Sequence, residues 1–118
     1  MTVDAWSQPC LVFDVGGTNL RAALYDSATN SLARHATRPT PNLHSMPNAS
    51  QDAICDAMVS EMFDLGCEVT SDLDVPTISV AFAGPLDPQN RVMSAPTIWG
   101  PRPAEPIDLL AKFAKYWP

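Results

Sequence analysis

Basic residues are scarce in this chain: Lys and Arg number seven against thirteen Asp and Glu, for a net charge of −6. The few cations are scattered, which argues against a nucleic-acid footprint, because gripping a duplex depends on clustered Lys and Arg. Cysteine is equally sparse. Cys10, Cys55 and Cys67 are an odd set without CxxC spacing, against both a disulfide framework and a zinc site, and they read as reduced thiols. No apolar run approaches the ~18 residues of a membrane span. Met1 to Gln8 carries Asp4 but no Lys or Arg, so it lacks the basic start of a secretory or transit peptide, and the expected compartment is the cytoplasm. Two familiar phosphate loops, GxxxxGK[ST] and GxGxxG, are missing as well, as are internal repeats and low-complexity tracts.

What remains is 118 residues, 46% hydrophobic, the profile of one small globular domain that buries roughly two thirds of its unfolded surface. "LVFDVGGTNLRAALYD", Leu11 to Asp26, reads as strand, tight turn, strand. Cys10 to Val15 and Leu20 to Tyr25 are apolar and rich in strand formers, and Gly16 and Gly17 break the run. Asp26 to Ser31 is a turn, and Leu32 to Thr37 a third strand, giving a three-stranded meander. Pro39, Pro41 and Pro47 then forbid regular structure, so residues 39–49 form a proline-rich connector whose length marks it as functional or mobile.

Asn48 followed by Gln51 resembles a capping box. Ile54, Met58, Met62 and Leu65 recur at helical spacing until Gly66, predicting a helix with one buried stripe. "VPTISVAFAG", Val75 to Gly84, predicts a buried strand ending in a Gly-Pro turn, and "GPLDPQNRVMSAP" a turn and short hairpin. Pro101, Pro103 and Pro106 lead into a last helix, with Ile107, Leu110, Ala114 and Trp117 on one face. The order β-β-β-α-β-(hairpin)-α predicts an α/β fold: a mixed sheet with helices on at least one face.

The chemistry concentrates in Asp14-Val15-Gly16-Gly17-Thr18-Asn19-Leu20-Arg21. Consecutive glycines let a backbone approach a phosphate and aim N–H groups at it without a helix or a lysine. Thr18 and Asn19 add donors, Arg21 adds a cation, and Asp14 suits Mg²⁺ held through water. The plain alternative is a Gly-Gly hairpin tip with Asp14 and Arg21 as a surface pair.

At this point the sequence resembles a known family. "DVGGTNLRAALYD" matches the phosphate-binding hairpin of the ROK carbohydrate kinases, in the actin and sugar kinase superfamily. "ISVAFAGPLDPQNRVMSAPTIWG" resembles their segment in which a strand ends in a Gly-Pro-hydrophobic-Asp turn, then a hairpin and a Ser-Ala-Pro stretch. The resemblance runs from about Cys10 to the end. It implies a ribonuclease H-like mixed sheet, the opening meander followed by crossover helices, with residues 1–118 as one partial domain. That domain would be the incomplete amino-terminal lobe of a two-lobed glucokinase-like enzyme. Asp14, Gly16, Gly17, Thr18, Asn19 and Arg21 are implied to surround the phosphates of ATP and Mg²⁺. Gly84, Pro85, Ser94, Pro96 and Thr97 are implied to form one wall of a sugar pocket, while Asp87 also suits a cap of its own turn.

Two departures matter. Thr97 stands where members often carry Asn, which leaves the preferred sugar open. The family's following strand, whose Asn-Asp pair supplies the general base, and its second lobe have no counterpart in this sequence. Asp56, Asp64, Glu68, Asp72, Asp74, Glu105 and Asp108 read as solvated charges, and His35 and His44 as isolated residues without metal-ligand spacing. Loss of a general base costs ~10²- to 10⁴-fold in rate. The expectation is therefore the amino-terminal segment of an ATP-dependent hexose or aminohexose kinase, catalytically incomplete by itself. The alternatives are a noncatalytic sugar- or nucleotide-binding module, or, less favoured, a ROK-type sugar-responsive regulator, whose DNA-binding region would precede the hairpin. Apolar faces left uncovered by the missing lobe make self-association a further expectation.

Overall fold

The computed structural model describes residues 8–71, 73–75, 77–100 and 105–117. Asp72, Pro101 and Pro103, singled out above, lie outside the described residues. Strands β1 (Pro9–Val15), β2 (Asn19–Asp26) and β3 (Ser31–Pro39) form the predicted antiparallel meander. Helix α1 (Gln51–Thr70) crosses over the sheet to β4 (Thr77–Phe82), which pairs parallel to β1, giving the order β3-β2-β1-β4. A two-stranded ribbon of β5 (Arg91–Val92) and β6 (Ile107–Asp108) precedes α2 (Leu109–Ala114). This is the expected mixed α/β sheet with a crossover helix.

Alternation along the strands sets the core. Leu11, Phe13 and Val15 of β1 pair with Leu24, Ala22 and Leu20 of β2, and all six are buried. The α1 stripe of Ile54, Met58, Met62 and Leu65 belongs to the same core cluster. Each such side chain removed from water contributes about 1.5–3 kcal/mol. The other face of the sheet exposes Asp14, Arg21, Ser79 and Ala81. The two outer strands differ: β3 carries Arg34, His35 and Arg38 and a register shift opposite Ala22 to Leu24, whereas Thr77–Phe82 contains no charge.

The ends of α1 differ from the sequence expectation. Ser50, not Asn48, is the N-cap, its side chain accepting from the Ala53 N–H at 3.0 Å. Residues 46–49 are instead occupied by a turn in which Ala49 N–H donates to the Met46 carbonyl. Nor does Gly66 stop the helix, which runs to Thr70. A Cβ at Gly66 would lie 3.0 Å from Leu11 Cδ2 and 3.1 Å from Phe13 Cζ, so the glycine is a notch that lets helix and sheet approach.

The last helix also needs correction. Ile107 and Asp108 are extended and pair with Val92 and Arg91, and Asp108 caps α2 by accepting from the Ala111 N–H at 3.0 Å. Starting the helix at Leu109 changes its phase. Leu109 is buried, Phe113 and Trp117 pack against the core, and Leu110, expected inside, is 55% exposed. Trp117 closes the cluster against Phe13 and Phe63, with ring centroids 5.9 and 5.2 Å apart.

Lys112 pins α2 to α1, donating to Asp52 Oδ1 at 2.7 Å and Asp56 Oδ1 at 2.8 Å. Asp56 is thus paired as well as solvated, its side chain 44% exposed. The hydrogen bond from Lys112, foremost, holds the Asp56 carboxyl below its ordinary 3.8. A carboxyl lowered in the folded state stabilises above its ordinary value, and that contribution disappears as the pH falls through the lowered one. Acid titration followed by tryptophan fluorescence should therefore show α2 loosening below about pH 3.8, a step that Asp56→Asn removes.

Candidate functional site

The tip between β1 and β2 is closed by Gly16 N–H donating to the Asn19 carbonyl at 3.0 Å. Gly16, Gly17 and Thr18 all lack a positive φ, so the tip does not depend on left-handed backbone. Space is the constraint instead. A Cβ at Gly17 would stand 2.6 Å from Thr97 Cβ and 2.7 Å from Thr97 Oγ1. Asp14 and Arg21 face each other across the β1–β2 register, both exposed. The surface ion pair of the plain hairpin alternative is not formed. Among the described residues, the side chains of Asp14, Thr18, Asn19 and Arg21 make no hydrogen bond or ion pair. A carboxylate, a hydroxyl, an amide and a guanidinium therefore surround the tip without protein partners.

The proline-rich connector packs behind that tip. Thr40, 2% exposed, donates through Oγ1 to the Gly16 carbonyl at 2.8 Å and through its N–H to the Thr18 carbonyl at 2.9 Å. Asn42 Nδ2 donates to the Gly17 carbonyl at 3.0 Å. The connector also holds the segment carrying Thr97, because Leu43 N–H donates to the Ile98 carbonyl at 2.7 Å. Sequence reasoning flagged this connector by its length but assigned no residue in it. The available signal was a hydroxyl and an amide residue, Thr40 and Asn42, spaced among prolines.

Thr97 lies on a turn in which Ile98 and Trp99 N–H both donate to the Ala95 carbonyl, and buried Ile98 and Trp99 anchor it. Thr97 and Pro96 are exposed; Ser94 is half-buried. Gly84 abuts the Ser94 carbonyl, where any Cβ would collide, and the Pro85 carbonyl accepts from Met93 N–H at 3.0 Å. The Gly84-Pro85 turn, the Ser94–Thr97 segment and the hairpin tip are thus contiguous. Asp87 caps its own turn: Oδ1 accepts from Gln89 and Arg91 N–H, and Oδ2 from Arg91 Nε at 2.6 Å. The backbone N–H of Arg91, foremost, holds its carboxyl below 3.8. Among the described residues, no three His, Cys, Asp or Glu side chains gather as metal ligands, and no helix is long and apolar enough to cross a membrane.

No family model matches the chain. Two curated C(7)-cyclitol 7-kinases, from Streptomyces hygroscopicus subsp. jinggangensis and subsp. limoneus, are 30% and 29% identical to it over 107 residues. Each alignment takes in 84% of this chain and 29% of the relative. The crystal structure of a ROK family glucokinase from Streptomyces griseus in complex with glucose and AMPPNP superposes with a TM-score of 0.66 at 20% identity. It covers 91% of this chain and 30% of that one. With 91% of the chain superposing on 30% of that structure, the chain has a ROK-family, glucokinase-like fold matching part of a longer homologous chain.

Proposed function

We propose that this chain forms the phosphate-gripping and half of the sugar-binding part of an ATP-dependent sugar kinase. The observation that carries the reading is the hairpin tip. Gly16 and Gly17 form its half-buried turn, and unpartnered Asp14, Thr18, Asn19 and Arg21 side chains flank it. This set fits a nucleotide's phosphates with Mg²⁺. Donors to a charged oxygen contribute about 1.5–3 kcal/mol each, and a single carboxylate holding a hydrated Mg²⁺ is an ordinary arrangement. When bound, Mg-ATP supplies the phosphoryl group, with the metal neutralising charge on it. Arg21 provides a fixed cation, and Thr18 and Asn19 orient phosphate oxygens. Gly84, Pro85, Ser94, Pro96 and Thr97 would form one wall against a hexose or aminohexose, with the Ser94 and Thr97 hydroxyls available for contacts. The two relatives named as cyclitol kinases widen that substrate class to polyhydroxylated rings.

These 118 residues do not themselves supply the general base that the resemblance implies. The 118 residues contain no Asn-Asp pair, and the Asp87 carboxylate is engaged by its own turn. The chain is expected to bind more readily than it transfers. Isothermal titration with Mg-ATP and with a panel of hexoses, aminohexoses and cyclitols tests this. Binding of both ligand classes with at most trace turnover in a coupled assay supports the reading; binding of neither sinks it. For the 118 residues alone, the trough of Ile78, Val80, Phe82, Leu110, Phe113 and Trp117 favours self-association. Light scattering on the same samples should show association rising with concentration.

A further inference from the structure

We infer that Thr40 and Asn42 are positioning residues for the hairpin tip, turning its N–H groups toward the side where phosphate would lie. The inference rests on the phosphate reading above and adds to it the part of the chain that sets the donors' direction. Gly16, Gly17 and Thr18 are successive residues, and each carbonyl accepts from the connector: Thr40 Oγ1, Asn42 Nδ2 and Thr40 N–H respectively. In a trans peptide, a carbonyl and the following N–H point in opposite directions; the described chain has no cis bond. Drawing the Gly16 and Gly17 carbonyls toward the connector therefore points the N–H groups of Gly17 and Thr18 away from it. In an extended strand successive carbonyls alternate sides. Here they share one, so the neighbouring donors share the other. Among the described residues neither of those two N–H groups has an acceptor.

The connector is built to hold this arrangement. Asn42 Oδ1 accepts from His44 N–H at 2.9 Å and Ser45 N–H at 3.1 Å, which fixes the amide's orientation and directs Nδ2 at Gly17. Thr40 is buried, and both its donors are committed to the tip. A serine at position 40 would keep the hydroxyl donor, and a valine would keep the shape without it. A serine at position 42 would keep an acceptor for the following turn, but its side chain is too short to reach Gly17.

The test compares the 118-residue chain with Thr40→Val, Thr40→Ser and Asn42→Ser. The first readout is ¹⁵N relaxation of the Gly17 and Thr18 amides without ligand; the second is affinity for Mg-ATP and for inorganic tripolyphosphate. Thr40→Val and Asn42→Ser are expected to loosen both amides and weaken both ligands by roughly tenfold, the worth of one hydrogen bond. Thr40→Ser should retain wild-type order and affinity, a rescue that general destabilisation would not give. If Thr40→Val does not fold, Asn42→Ser, at a half-buried position, carries the comparison. Folded variants that bind both ligands as tightly as the wild type overturn the inference and leave the phosphate reading intact. A wild-type chain that binds neither ligand overturns the phosphate reading, and this inference with it.

Discussion

Alanine at position 17 is expected to cost about 1–3 kcal/mol of stability, the range for forcing extra volume into a close-packed contact. The affinity of the remaining folded protein for Mg-ATP should also fall by about tenfold or more, since 1.4 kcal/mol of misplaced contact suffices for that. The added methyl would lie 2.6 Å from Thr97 Cβ, which is not the flexible end of a long side chain. Either the tip or the Thr97 turn must move, and buried Ile98 and Trp99 hold that turn. Combining the change with Thr97→Gly removes the two nearest atoms from the collision and leaves the Thr97 carbonyl, at 3.1 Å, as the nearest. Urea unfolding of the four proteins gives the coupling energy directly. Recovery of most of the lost stability in the double variant is the expected result. A Gly17→Ala protein as stable as its parent would show that close approach is not what this glycine supplies.

Two adjacent leucines should give opposite results. Leu109→Ala is expected to destabilise by about 2–5 kcal/mol, because it leaves a cavity beneath α2. Leu110→Ala should stay within about 0.5 kcal/mol, as surface changes do. Leu109 is 4% exposed and Leu110 55%. Domains of this size are stable by only about 5–15 kcal/mol, so the first change should shift the denaturation midpoint far and the second hardly at all. The reverse order would restore the helix phase read from the sequence, with Leu110 inward, and would remove the strand assigned to Ile107 and Asp108.

That phase error shows where the sequence was legible. The meander was legible in apolar runs of strand formers broken by Gly16 and Gly17, and the α1 stripe in the 3.6-residue spacing from Ile54 to Leu65, patterns that local burial enforces directly. The errors fall where a distant partner decides. Ile107 and Asp108 read as helix until Arg91 and Val92 pair with them. Gly66 reads as a stop until the nearness of Leu11 and Phe13 explains it. At the site, "DVGGTNLR" announced its donors and charges by composition. Space for Thr97 against Gly17, however, depends on residues eighty positions apart meeting after the crossover. Thr40 and Asn42 were harder still, because a lone threonine and a lone asparagine among prolines carry no periodic signal.

The unlike outer strands of the sheet give it a direction of growth. β3 ends the sheet with a break in register, which discourages another strand from pairing there, while its Arg34 and Arg38 reach back to α1. β4 ends it with Thr77–Phe82, uncharged and alternating, its Ile78, Val80 and Phe82 bordering an apolar trough. Any further strand, whether from more of the same polypeptide or from another molecule, is therefore steered to the β4 side. There it would lengthen the sheet next to the Gly84-Pro85 turn and away from the connector, so the growing edge and the proposed sugar wall lie on the same flank.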